Sequence, residues 1–192
     1  MTFTLAAPDL RDGPIRLREL RDDDTPAFVR ALEDPAVFDG AYSGQLAADE
    51  KTVLNYIRNA RPLADRGERI LLAIAGESDQ MIGLGMLFGL NKRNLDGEIG
   101  FWLAADARGA GHGRRAVVLL TAWAIHVVGL ERVYAMTRPA NAGARGVLES
   151  AGFVLDGTIR GRERTIGGDR RDSVSYTMLY TDIKAPPDPR NP

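Results

Sequence analysis

The chain has 192 residues, 44% of them apolar and 27% charged, with a formal net charge of −1 and a pI near 6.1. That length and apolar share fit one domain with a real core, over residues 1–182, and exclude a disordered chain; the near-neutral balance argues against nucleic acid as a partner, because such domains are usually strongly basic. The lack of cysteine excludes disulfides, thiolate catalysis and zinc–sulfur sites, and only His112 and His126 remain for a histidine-built metal site, so no metal is expected. No apolar run approaches the roughly 20 residues of a membrane span, and residues 1–12 lack the basic-then-apolar order of a signal peptide; a cytoplasmic protein without a membrane partner is the expectation.

In chain order, residues 15–20 read as a first strand, with Ile15, Leu17 and Glu19 on one face. Asp22-Asp23-Asp24-Thr25 followed by Pro26 is a helix start, with capping side chains and then proline in the first turn. That helix runs to Glu33, and Asp34-Pro35 stops it. Residues 36–44 are loop-like, with Phe38 and Tyr42 as candidate pocket aromatics. A second helix is expected over 47–60, where Val53, Leu54 and Ile57 recur at helical spacing, and 61–67 connect it onward. Residues 69–75, 81–90 and 98–104 are strands with short connections, which suggests an antiparallel meander.

Residues 113–128 form a central helix with Val117, Leu120, Ala124, Ile125 and Val128 on one stripe, and His126 packed in its apolar surface. The strand that follows, 130–137, must lie parallel to strand 98–104 if this helix is a crossover. A short helix over 141–150 ends at Ala151-Gly152. Strands 153–159 and 173–180 surround a polar loop, whose Arg160, Arg162, Arg164, Arg170 and Arg171, offset by Glu163, Asp169 and Asp172, read as a solvated hairpin. The proline-rich tail, 183–192, is expected to be disordered.

The most informative segment is Arg108-Gly109-Ala110-Gly111-His112-Gly113, between a strand and the central helix. Glycines let a backbone approach a ligand closely. A helix N-terminus points unpaired N–H groups and a partial positive charge at whatever lies in the turn. A dinucleotide fold would need this turn early in a βαβ unit, with an acid about 20 residues on; here the meander precedes it. No Lys-Ser or Lys-Thr follows, so a P-loop is not supported. Binding of ATP or NAD would rest on the glycines alone.

The whole stretch from Glu98 to Phe153 resembles the GNAT family of acyl-CoA-dependent N-acyltransferases, and within it the RimJ/RimL-like branch. Glu98-Ile99-Gly100-Phe101-Trp102-Leu103 is similar to that branch's central strand, and Arg108-x-x-Gly111-x-Gly113 to the family's pyrophosphate turn. Asn141 with Gly152-Phe153 behind it is similar to the asparagine helix and its end, and residues 15–20, Asp34-Pro35 and 172–180 extend the resemblance to both sides. The resemblance implies an α/β fold of the α+β type: a mixed, mostly antiparallel sheet of about seven strands with a parallel splayed pair at the CoA site, flanked by about four helices. It implies acetyl-CoA as acyl donor. Phe101, Trp102 and Leu103 would lie along the pantetheine, the amides of Gly109, Ala110, Gly111, His112, Gly113 and Arg114 would hold the pyrophosphate, Arg108 would steady the turn or meet phosphate, and Asn141 would reach the pantetheine arm. The acceptor, a protein N-terminus or a small-molecule amine, would enter near Phe38, Tyr42, Trp102 and the loop 160–171. Homodimerisation is left open.

Acyl transfer to an amine needs the amine neutral, a donor for the thioester carbonyl, and a proton or positive field for the leaving thiolate. Glu98 is the candidate base, at a strand position where the resembling branch often carries glutamate. The expected acid is absent: Leu148 stands where many members have tyrosine, and Ala144 where the RimL-like branch often has serine. Three explanations stay open. Another donor serves, from Tyr134, Ser173, Ser175 and Tyr176; the thiolate, with a pKa of about 8.5, leaves unaided; or the domain binds an acyl-CoA without acetylating anything, or uses an unusual donor.

Overall fold

The computed structural model describes residues 3, 5–42, 46–165 and 167–183, with the side chains of residues 39–42 outside that description. Among the described residues, β1 (Leu10–Asp12), β2 (Ile15–Glu19), β3 (Ile70–Ala75), β4 (Met81–Asn91), β5 (Asp96–Leu103), β6 (Arg132–Thr137), β7 (Val154–Arg164) and β8 (Arg170–Leu179) form one sheet. Their order is β1-β2-β3-β4-β5-β6-β8-β7. Every neighbouring pair is antiparallel except β5 and β6, which the helix α5 (His112–His126) joins as a crossover. The expected meander and parallel pair are both present.

Two apolar layers cover the sheet. On one face α5 lays Val117, Leu120 and Ala124 against Leu72, Leu87, Ile99 and Val133. On the other, α1 (Thr25–Leu32) and α3 (Glu50–Arg58) bring Phe28, Leu32, Val53 and Ile57 onto Leu71, Leu84 and Trp102. β3 is buried along its whole length because both layers press on it, which is why its sequence is a continuous apolar run rather than an alternation. Between β4 and β5 the backbones approach so closely that a Cβ on Gly83 would overlap the Trp102 carbonyl oxygen.

The structure corrects several expectations. Residues 36–42 are not loop but belong to α2 (Pro35–Tyr42). Asp34-Pro35 ends one helix and starts the next: the Asp34 carboxylate accepts the Ala36 N–H at 2.8 Å, and proline suits a first turn. Residues 60–65 form α4 (Ala60–Asp65) rather than a connection; Pro62 is tolerated because first-turn N–H groups have no partner within the helix. β1 was not expected; at three residues it carries too little pattern, and the Gly13 turn (φ +56°) pairs it with β2. His126 is exposed at the end of α5, off the buried stripe. Ile183, first residue of the tail, packs against the core, and the rest of the tail lies outside the described residues. No helix is long and apolar enough to cross a membrane, among the described residues.

The acidic run forms a short 3-10 turn, Asp22–Asp24, ahead of α1, and Asp24 does not cap α1 with its side chain. It is buried, 4% exposed, and takes two parallel hydrogen bonds of 2.8 Å from Arg18, itself 4% exposed. Asp24 also accepts the Arg21 N–H at 2.8 Å. Asp79, in the β3–β4 turn at φ +60°, gathers Arg21, Arg16 and Arg18. Asp24→Ala leaves the buried Arg18 charge with only its contacts at Asp79 and the Glu19 carbonyl, and is expected to lower unfolding free energy by about 3 kcal/mol in urea titration.

Asp79 has its carboxyl held at about 2, below the ordinary 3.8, by Arg21 and then Arg16 and Arg18 against a smaller opposing effect of burial. A depressed carboxyl stabilises the fold above its unfolded pKa, and that contribution is lost as pH falls through the folded value. Wild type and Asp79→Asn are therefore expected to differ in thermal stability at neutral pH and to converge as pH drops from about 4 to about 2.

Candidate active site

β5 and β6 pair at only three positions, Asp96 with Arg132, Gly97 with Val133, and Glu98 with Tyr134. Beyond them β5 stays on β4 while β6 stays on β8. The strands part, and the gap opens a cleft of about 760 Å³ walled by β5, the 108–114 turn and α6 (Ala142–Ser150). A second cavity of about 690 Å³ continues past Glu98 and Asn141 toward the hairpin β7–β8. Glu98, Ala36, Met136, Thr137 and Asn141 border both.

At the outer end, Gly109 and Gly111 adopt φ near +80°, and nothing lies within 4 Å of where a Cβ would sit on either. The turn is thus left-handed and open on the side of the missing side chains. α5 begins at once, with no side-chain cap on its first N–H groups. Such a terminus suits an anion held by backbone donors. Arg108 steadies this turn: Nε and Nη2 donate to the Leu103 carbonyl at 3.0 and 2.8 Å, and Nη2 donates to Asp34 Oδ2 at 2.6 Å. Its guanidinium ties the end of β5, the turn and the start of α2 together. The Asp34 carboxyl is held below its ordinary value first by the Ala36 N–H and then by Arg108.

The other expected contacts divide. Gly109, Gly111, Gly113 and Arg114 border the cleft; Ala110 and His112 do not. His112 turns its Nδ1 to the Ala107 carbonyl, 3.2 Å away, and Arg114 donates Nε to the Ser150 carbonyl at 2.9 Å, at the end of α6. Phe101, Trp102 and Leu103 all border the cleft; Phe101 and Leu103 pack on the α5 face, while the Trp102 ring belongs to the opposite layer, against Phe28 with ring centroids 5.2 Å apart. Asn141 is the N-cap of α6, its Oδ1 accepting the Ala144 N–H at 3.0 Å. Phe38 borders neither cavity, because α2 turns Pro35, Ala36 and Val37 toward them instead. Tyr42 has its side chain outside the described residues.

Glu98 is half-buried where the strands part. Burial raises its carboxyl above the ordinary carboxylate value, and Arg162 pulls it partway back. Tyr134 is its neighbour in register; burial and then the Glu98 charge raise the phenol. Tyr134 borders neither cavity. Leu148 is core, 1% exposed. Tyr176 is fully buried, donating to Glu149 at 2.6 Å and accepting from Arg145 at 3.1 Å, and Ser175 is held by Asp156. Of the hydroxyls weighed from the sequence only Ser173 reaches the cavities, and Thr137 joins it. Arg162, Glu163 and Arg164 belong to the loop 160–171 that the resemblance places at the acceptor, and they line the cavity; Thr137 and Arg138 escaped the sequence reading as site residues. One available signal was that binding crevices lie at the carboxyl ends of parallel strands, where Thr137 sits. The basic hairpin, read as solvated, sends Arg162 and Arg164 into the cavity wall, since two irregularities bend β7 against β8.

A mixed sheet that opens between two parallel strands onto an uncapped helix start is the architecture that the GNAT resemblance implies. The chain belongs to the GNAT acetyltransferase family: residues 15–154 match the family described as Acetyltransferase (GNAT) domain. A proposed acetyltransferase from T. thermophilus is 25% identical, with a TM-score of 0.77 and 92% of each chain covered. RimJ of Mycobacterium smegmatis, solved in complex with CoA-disulfide, is 20% identical with a TM-score of 0.79, over 88% of this chain and 83% of that one. RimL, the ribosomal L7/L12 alpha-N-protein acetyltransferase solved with coenzyme A, is 19% identical with a TM-score of 0.77, over 90% and 97%. No curated protein sequence matches the chain.

Arg108→Met removes three hydrogen bonds, two of them to the Leu103 carbonyl. It is expected to lower stability by about 1–2 kcal/mol in thermal melts, discounted for the partial exposure of the ion pair, and to speed proteolytic cutting at the 108–111 turn.

Proposed function

We propose that the protein transfers an acetyl group from acetyl-CoA to a primary amine, a protein N-terminus or a small-molecule amine, by direct attack. One observation carries the reading: Glu98, a half-buried carboxylate, stands at the junction of two cavities, one leading to an open glycine turn and one to a polar pocket. The first suits a long anionic donor. Its pyrophosphate would lie on the amides of residues 109–114, and its pantetheine amides would meet the backbone groups that β5 loses from β6 beyond Glu98. The Asn141 Nδ2 would donate to the same arm, since Oδ1 already caps α6.

The amine enters from the second cavity. Glu98 takes its proton, directly or through a water, and the nitrogen attacks the thioester carbon. The tetrahedral intermediate loses its second N–H proton to water and collapses with breakage of the C–S bond, giving the neutral amide and the CoA thiolate. With Leu148 in the core, no tyrosine borders the cleft among the described side chains, and the thiolate leaves at its own pKa of about 8.5. The same two residues motivate a second reading. With Leu148 and Ala144 in place of hydroxyls, the domain would bind acyl-CoA without acetylating, or use an unusual acyl donor.

Glu98→Gln is expected to lower kcat/KM for the best amine about 100-fold while acetyl-CoA affinity by calorimetry changes little. The base works only when ionised, so wild-type kcat/KM falls tenfold per pH unit below the raised Glu98 pKa and levels above it; the glutamine variant lacks that limb. An unchanged rate in the variant removes Glu98 as base. Acetyl-CoA binding without thiol release for any amine supports the second reading.

A further inference from the structure

We propose that the acceptor is an anionic amine, a primary amine carrying a carboxylate or phosphate a few bonds away, bound with its amine at Glu98 and its anion at Arg162 and Arg164. This rests on the reading of Glu98 as the residue that meets the amine. The charges lining the 690 Å³ cavity are Glu98, Glu163, Arg138, Arg162 and Arg164. Arg138 and Glu163 meet as a two-pronged pair, Nε to Oε2 at 2.9 Å and Nη2 to Oε1 at 2.6 Å, and so answer each other. What remains is one carboxylate and two guanidinium groups.

Arg162 and Arg164 make no ion pair and no side-chain hydrogen bond among the described residues. Other arginines lining the two cavities differ: Arg108 is held by Asp34 and Leu103, and Arg138 by Glu163. Arg162 and Arg164 are exposed on the cavity wall, and Arg162 is near enough for its charge to lower the Glu98 carboxyl against the effect of burial. An amine with no anion would be drawn to Glu98 but would gain nothing from the two cations, and an amine bearing a second positive charge would be repelled by them. An amine with a nearby anion meets both charges with their opposites. The bends in β7 are what deliver this pattern, turning two side chains of an otherwise outward hairpin over the parted strands.

The test uses the full chain saturated with CoA, and reads acceptor binding by calorimetry separately from acetyl transfer. Two matched pairs serve as probes: the tripeptide amides Ser-Asp-Ala and Ser-Asn-Ala, and 2-aminoethyl phosphate with ethanolamine. The acidic member of at least one pair is expected to bind about fivefold tighter at low salt, with the ratio shrinking as salt rises. In R162Q/R164Q that ratio falls to near one. In R171Q, which removes an exposed arginine of β8 outside the cavity, it persists. Preference in the peptide pair marks an acidic polypeptide N-terminus as the source of the amine, and preference in the other pair marks a small anionic amine. A wild-type ratio near one in both pairs, or an equal decline in R171Q and the double variant, overturns the proposal. Preferential binding without transfer to any probe removes the acetyltransferase reading and leaves the anion site standing; transfer without preference removes the anion site alone.

Discussion

The parting of β5 from β6 after Glu98 and Tyr134 is the constraint on which the rest depends. Each strand keeps its antiparallel neighbour on the far side, so the sheet stays whole while one seam opens. Along that seam, backbone N–H and C=O groups lack their ladder partners, and such groups need water or a ligand in their place. The seam also fixes where the chemistry can happen. Glu98 is the last residue of β5 to pair with β6, so its side chain stands at the mouth of the gap, partly out of water but still reachable.

Arginine is the fastener that holds this opening in shape. Arg108 ties the end of β5 to the glycine turn and to α2; Arg114 reaches the end of α6; Arg138 binds Glu163 across the inner cavity. Farther off, Arg18 and Asp24 lock the first turn of the α1 layer to β2. The planar guanidinium can serve a carbonyl and a carboxylate at once, which a lysine ammonium does with less fixed geometry. Against that background, Arg162 and Arg164 line the cavity without a carboxylate partner among the described residues.

The donor half and the catalytic half of the site are built to different standards. The turn is set by backbone geometry, by two left-handed glycines and an uncapped helix start, and little depends on which other side chains occupy it. Ala110 and His112 point elsewhere without consequence for the amides. The chemistry depends instead on individual side chains. Leu148 is buried at the inner wall of the cleft, and Tyr176 is tied to Glu149 and Arg145. On the proposed reading, the site relies on one raised carboxyl and a good leaving group.

What the sequence by itself determined was whatever rests on local periodicity and backbone chemistry. The meander, the α5 stripe, the crossover that makes β5 and β6 parallel, and the glycine turn were all legible, because strand alternation, helical spacing and positive-φ glycines act within a few residues of one another. The order of motifs made the family legible as well. Local signals failed where two readings compete: Asp34-Pro35 both ends α1 and opens α2, and three residues of β1 carry too short a pattern. Only the tertiary structure decided which side chains face the cleft. The Trp102 ring packs on Phe28 while the residue still borders the cleft, Phe38 fell off the lining because α2 is a helix, Thr137 reached it because β6 ends there, and within the expected loop 160–171 it is Arg162, Glu163 and Arg164 that line the cavity. Those outcomes depend on contacts between residues far apart in the chain, and no spacing in the sequence records them.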